Sequence, residues 1–193
     1  MALARNRTET MIRILDNVEK IGVVLNDNNG VPIDLTSLTV TFRMVDLNGG
    51  TAVVTGGATS KQPTTTFTAA TTDIVTAVKH SLKDGNEVIL PTDGTLPAGL
   101  STLTRYFVRD ANEDTFKLTT TEGGTAIDVT DTGSGTHAFA KVGHVTYSPA
   151  AGDVDTAGLY AMYFVDDSSP IRKWPYDGAK LRMKIITETE EIS

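Results

Sequence analysis

Residues Asp153 to Phe164 read DVDTAGLYAMYF, and this stretch decides how the chain is understood. A polar Asp-Thr-Ala-Gly turn leads into a run that places Tyr160, Met162 and Phe164 on one face of an extended strand. Strand side chains alternate from face to face with a period of two. A strand with one apolar face needs partner strands to cover it. The residues just upstream do not read as those partners, so they must be sought further out along the chain.

They are found near the beginning. The segment LNDNNGVPIDLTSLTVTFRMVDLNGG, from Leu25 to Gly50, opens with an Asn28-Asn29-Gly30 tip suited to a turn with positive φ. Pro32 cannot donate to a strand ladder and belongs in a connection or on an edge. Leu38, Val40, Phe42 and Met44 then alternate with Thr39, Thr41 and Arg43, which predicts a strand with one buried face. Before it, MIRIL (Met11 to Leu15) suits an edge strand, followed by a second strand in VEKIGVVL. A helix through Met11, Leu15 and Val18 competes with the first of these. Beyond Lys141 the same style returns, with Val145 and Tyr147 on one face of GHVTYSP. It closes with IRKWPYDGAKLRMKIITE, where Leu181, Met183 and Ile185 alternate.

Between these two stretches the pattern changes. At least five cycles of strand and turn follow Gln62-Pro63, with reversals at Asp84-Gly85, Asp93-Gly94 and Gly123-Gly124. Val75, Val78, Val88, Ile89, Leu90, Tyr106, Phe107, Val108, Phe116 and Leu118 are its expected apolar positions. The organisation predicted is a flexible arm over 1–10, a discontinuous β-sandwich built from 11–62 plus 141–193, and an inserted small β domain over 63–140. Inserting a compact block at a loop costs little when its ends stay close, because closure entropy grows only logarithmically with length.

Composition agrees with an all-β class. Thr, Gly, Val and Asp are frequent among the 193 residues, and helix-forming runs are almost absent. A formal net charge of −7 repels nucleic acid unless a basic stripe overrides it. The basic residues Arg5, Arg7 and Arg13, and Arg172 with Lys173, lack the interleaved aromatics of single-strand binders, so no nucleic-acid partner is expected. The chain has no cysteine, which removes disulfides, thiol catalysis and thiolate metal sites together. No apolar run reaches the ~18 residues of a membrane helix, and the N-terminus lacks the apolar core of a secretory signal. A soluble protein made in a cytoplasm is expected, with no membrane partner.

Chemistry-bearing residues form no recognisable constellation. His80, His137 and His144 are the only histidines; the first two lie far apart within the inserted block, and no carboxylate stands at metal-ligand spacing. Asn26 to Gly30 imitates part of a calcium loop, but Leu25 stands where that loop needs Asp and Thr36 where it needs Glu. Asp166-Asp167-Ser168-Ser169 and Asp110 to Asp114 read as acidic turn tips. No nucleophile elbow and no phosphate loop in its strand-to-helix context is present. The reading assigns no catalytic, cofactor-binding or metal residue and no enzyme activity. Trp174, with Pro175 and Tyr176, either plugs one end of the core or anchors a partner; the burial reading is preferred, because the cluster leads into the last strand.

Three stretches carry a family likeness: NGVPIDLTSLTVTFRMVDLNGG, GHVTYSPAAGDVDTAGLYAMYFV and WPYDGAKLRMKI. Together, in this order, they resemble the immunoglobulin-like N-terminal domain of phage baseplate upper proteins. The block marked by KHSLKDGNEVIL, GTLPAGLSTLTRYFV and NEDTFKLTTTEGGTAIDVTDTGSGTH separately resembles a β module inserted in phage tail and other virion proteins. The resemblance implies an immunoglobulin-like sandwich hosting a small β domain. It also implies a structural protein of a tailed-phage virion, assembled in the host cytoplasm, contacting other virion proteins in a multi-copy symmetric assembly. Tail or baseplate attachment is the first reading, capsid decoration or a head-fibre or neck position the second, and a module binding host glycans the third. In immunoglobulin-like domains a Tyr two positions before the second cysteine ties down the adjacent loop through its hydroxyl. Tyr160, two positions before Met162, is the candidate here, with Met162 filling the cysteine's place by packing.

Overall fold

A computed structural model describes residues 11–14, 20–167, 172–174 and 181–185. Among these the chain is β throughout, apart from one short 3₁₀ turn at Ala151–Asp153. In chain order the strands are β1 (Met11–Ile14), β2 (Ile21–Val24), β3 (Val40–Asp46), β4 (Ala52–Lys61), β5 (Thr64–Ala69), β6 (Val75–Thr76) and β7 (Glu87–Ile89). They continue with β8 (Tyr106–Arg109), β9 (Thr115–Thr119), β10 (His137–Lys141), β11 (His144–Tyr147), β12 (Gly158–Asp166), β13 (Arg172–Trp174) and β14 (Leu181–Ile185). They segregate into two compact units. One gathers the described residues up to Val31, then Leu35–Lys61, and those from Val145 onward; the other holds Pro32–Asp34 and Gln62–His144.

In the first unit the strands follow the order β1-β14-β12-β3-β4-β11-β2. The opening sequence motif forms β12, and its two edges are covered differently. β3 pairs with it antiparallel from Tyr160 to Asp166. On the other edge β14 covers Gly158 to Met162 and β13 covers Phe164 to Asp166. The edge segment Met11–Ile14 is a strand rather than a helix, and it pairs parallel with β14.

Alternation decides which residues enter the core. Met44 stands opposite Met162 and Phe42 opposite Phe164, and all four are buried. Phe42 stacks on Tyr147 at 4.1 Å and meets Phe164 edge-on at 5.3 Å. Each such buried side chain contributes about 1.5–3 kcal/mol relative to exposure.

β4 has no counterpart in the sequence reading, which ended the strand run at Asn48-Gly49-Gly50. Its Gly56-Gly57 pair looks like a break. Yet a Cβ at Gly57 would lie 2.8 Å from Cζ of Tyr147 and closer still to Cε2, so the strand needs glycine where that ring passes. Two register shifts between β3 and β4 add residues on the β4 side. Along its length β4 changes partner: Ala52 to Ala58 face β3, while Thr59 to Lys61 face β11.

The second unit is a closed six-stranded barrel in the order β10-β5-β6-β9-β8-β7, sealed by pairing of β10 with β7. Its interior is filled by side chains including Phe67, Val75, Val88, Leu90, Tyr106, Val108, Phe116, Leu118 and Phe139. Phe116 meets Phe139 edge-on at 5.5 Å. Three of the expected apolar positions behave otherwise. Ile89 and Phe107 are only half-buried. Val78 is 72% exposed, because β6 stops at Thr76 and the chain turns outward through Ala77, whose N–H donates to the Asp114 carbonyl.

The sequence reading set the edges of the middle block at 63 and 140. Packing sets them at Gln62 and His144. There the Gln62 N–H donates to the His144 carbonyl at 2.6 Å, and Val145 sits opposite Lys61, so the two ends of the block lie side by side.

Candidate functional site

The corner before β12 forms around one phenol. The Tyr160 hydroxyl donates to the Thr156 carbonyl at 2.8 Å, tying the Asp155-Thr156-Ala157-Gly158 turn to the strand that follows it. Burial, and then the carboxylates of Asp46 and Asp155, push its pKa above the usual phenol value. Trp174 is 3% exposed, and its Nε1 donates to the Asn26 carbonyl at 3.1 Å. It is therefore a core plug, as preferred from sequence; Pro175 and Tyr176 lie outside the described residues.

The aspartates, which the sequence shows as scattered acidic tips, serve as backbone staples. Asp27 Oδ1 accepts from the N–H groups of Asn29 and Val31, closing the turn that imitated a calcium loop. Asp84 accepts from Ala111 N–H, Asp93 from Thr136, Asp114 from Lys79 and Asp73 from Val129. Asp131 accepts from both Ala98 and Gly133, and these bonds hold its pKa below the ordinary carboxylate value. Asp153 receives the Tyr147 hydroxyl at 2.5 Å and Ala150 N–H at 2.8 Å. A carboxylate accepting N–H bonds makes charge-assisted contacts, stronger than neutral ones. The tip Asp110 lies beside Arg109 and Lys117, surface pairs worth about 0–1 kcal/mol. Asp166 is buried, Asp167 pairs with Arg43, and Ser168 and Ser169 lie outside the described residues.

The histidines are likewise held by the fold. Leu82 N–H donates to His80 Nδ1 at 2.9 Å, which leaves the proton on Nε2, facing the Thr115 carbonyl. His137 lies between Thr92 Oγ1 and the Thr132 carbonyl. His144 is half-buried, and that burial, with Lys141 nearby, lowers its pKa. Among the described residues no three metal-ligating side chains come together, and no helix is long and apolar enough to cross a membrane.

Among the described residues two open grooves stand out, one on each unit. The barrel carries a groove of about 760 Å³ lined by Thr65, Thr66, Thr68, Thr76, Thr132 and Thr136 around the mostly buried Phe67. No Lys, Arg, Asp or Glu lines it. The first unit carries a smaller groove of about 210 Å³ on the face of β3 and β12 opposite the core. Arg43, Val45, Tyr163 and Val165 line it, with Ala52, Val54 and Thr55 of β4 and Lys173 of β13.

The sequence reading missed this second site. The available signal was the off-core set of the same two alternations: Arg43 between Phe42 and Met44, and Tyr163 between Met162 and Phe164. Comparison with known proteins finds no matching family, no matching curated protein and no matching solved structure.

Proposed function

We propose that the first unit is an immunoglobulin-like sandwich and that the chain is a structural component of a tailed-phage virion. Its first assignment is a tail or baseplate position, held by protein–protein contacts with other virion proteins. The observation that carries this reading is the Tyr160 hydroxyl on the Thr156 carbonyl, directly before β12. It is the loop tie that immunoglobulin-like domains place at this point. It falls in the very stretch whose likeness to baseplate upper proteins is quoted above. Strand order adds support: within the single eight-stranded sheet β4 pairs with β3 over one part of its length and with β11 over the rest, the change of partner that a sandwich of a β2-β11-β4 set and a β3-β12-β14 set would need.

Such a scaffold acts by what it presents. Eight of the described aspartates, with His80 and His137, hold turns and loops, and a contact role needs nothing more from them. A glycan-binding role calls for an exposed aromatic platform. Here Trp174 and Phe67 are both buried, which favours the assembly reading.

Gold-coupled antibody raised against the whole chain, applied to gradient-purified particles from a lysate, tests the proposal by electron microscopy. Gold at the tail tip is the expected result. Gold over the head would favour capsid decoration or a head-fibre position. Antigen confined to the soluble fraction, with bare particles, would overturn the virion role.

A further inference from the structure

We propose that Asn48 is a site of spontaneous deamidation and that the Asp46 carboxylate, lying against the attacking nitrogen, sets its rate. The inference concerns covalent chemistry of the chain itself and stands apart from any place in a virion.

The chemistry needs an asparagine followed by a nitrogen that can reach it. In an Asn-Gly pair the glycine nitrogen, once base has taken its proton, attacks the side-chain amide carbon. A new C–N bond closes a five-membered succinimide, the bond to the amide nitrogen breaks, and that nitrogen leaves as ammonia. Water then opens the ring at either carbonyl and leaves aspartate or isoaspartate. Glycine favours the attack because it has no side chain to crowd the nitrogen and is free in its backbone angles. An Asp-Gly pair closes the same ring with loss of water. A hydrogen bond from the glycine N–H opposes both reactions, since the proton must leave and the nitrogen must turn toward the side chain.

The sequence holds Asn29-Gly30, Asn48-Gly49, Asp84-Gly85, Asp93-Gly94 and Asp177-Gly178, the last outside the described residues. In two of them the carboxylate is itself tied: Asp84 accepts from Ala111 N–H at 2.8 Å and Asp93 from Thr136 N–H at 2.6 Å. Their glycine N–H groups donate to the Val108 carbonyl at 2.9 Å and to Thr92 Oγ1 at 3.2 Å. At the first Asn-Gly pair, Gly30 N–H donates to the Asp27 carbonyl at 3.1 Å. The Asp27 carboxylate clamps the N–H groups of Asn29 and Val31 around it.

Asn48-Gly49 is the least guarded of the four. Both residues are exposed in the connection between β3 and β4. Gly49 N–H donates to Asp46 Oδ2 at 3.3 Å, the longest of the four glycine contacts. The other oxygen of that carboxylate receives Asn48 N–H at 2.9 Å. A single side chain therefore holds the nitrogen, and its negative charge also opposes the anion that forms when the nitrogen loses its proton. Conversion to aspartate sets a second carboxylate beside Asp46. Conversion to isoaspartate adds a backbone carbon to a connection whose Leu47 N–H is bonded to the Leu159 carbonyl of β12.

Trypsin separates the two asparagine pairs for the test, because Asn48 falls in the peptide Met44–Lys61 and Asn29 in Ile21–Arg43. The full chain is held in mildly alkaline buffer, folded or in urea, and fragment mass spectra follow each asparagine with time. In urea the two should convert at similar rates. In the folded wild type Asn48 should convert ahead of Asn29. Asp46→Ser keeps a hydroxyl that can hold the turn but removes the charge. It should speed Asn48 by about tenfold or more, the loss of a hydrogen bond to a charged group, and leave Asn29 unchanged. Asn29 converting first in the folded wild type, or Asn48 staying intact there after the urea sample has converted, would overturn the site without any variant. An unchanged Asn48 rate in Asp46→Ser, or both asparagines speeding up together, would overturn the role of Asp46.

Discussion

At the residue scale, Tyr160 joins local sequence to tertiary order. Its ring fills the core side of β12 while its hydroxyl holds the turn that starts the strand. Tyr160→Phe keeps the ring and removes the bond, a loss of about 1 kcal/mol at neutral pH. For a unit of about 100 residues that lowers the midpoint of its thermal unfolding by about 4–8 °C. A pH effect follows from the raised pKa. The folded state keeps the phenol proton more tightly than the unfolded chain, so this stabilisation is complete below about pH 10 and is lost as pH rises through the folded value. Thermal melts from pH 7 to 11 should show a steeper alkaline decline for wild type than for Tyr160→Phe. Identical profiles would mean the hydroxyl carries no weight.

At the scale of the element, β4 shows how a strand persists through residues that disfavour it. Gly56 and Gly57 sit side by side in its middle, and their surroundings differ sharply. A Cβ at Gly56 would meet nothing within 4 Å, whereas at Gly57 it would strike the Tyr147 ring, which is stacked on Phe42 and bonded to Asp153. Gly57→Ala should therefore cost about 1–3 kcal/mol through overpacking. Gly56→Ala should be neutral or slightly stabilising, since it reduces the freedom of the unfolded chain. Chemical denaturation of the two variants separates them, and equal midpoints would show that the ring yields. From sequence the two glycines are equivalent; only the ring beside one of them tells them apart.

At the scale of the molecule, the barrel enters and leaves the chain between two strands that pair with each other. Lys61 stands opposite Val145. Replacing Gln62–His144 by a two-residue Asn-Gly turn should let β4 and β11 meet as a hairpin, because such a turn suits adjacent antiparallel strands. The shortened chain is expected to fold, to keep the near-ultraviolet signature of its buried Trp174, and to unfold in one cooperative transition. The intact protein should show a second transition from the barrel. A shortened chain without cooperative melting would show that the first unit depends on the second for stability.

The Tyr160 loop tie was reached through the likeness to immunoglobulin-like domains. Period-two alternation in β3 and β12 and the turn tips were legible in the sequence, because each rests on neighbours a few residues apart, within reach of local stereochemistry. So was the all-β class, through strand-favouring composition and frequent turn residues. Tertiary structure alone decided the rest. Asp73 holds Val129, and Trp174 reaches Asn26 across 148 positions. β4 bends between two partners, and Val78 turns outward although its composition predicted burial. The groove opposite the core needs β3, β4, β12 and β13 together, brought side by side by folding. A sequence pattern sets which face of a strand is apolar, but only the packed chain sets what that face, and the one behind it, will meet.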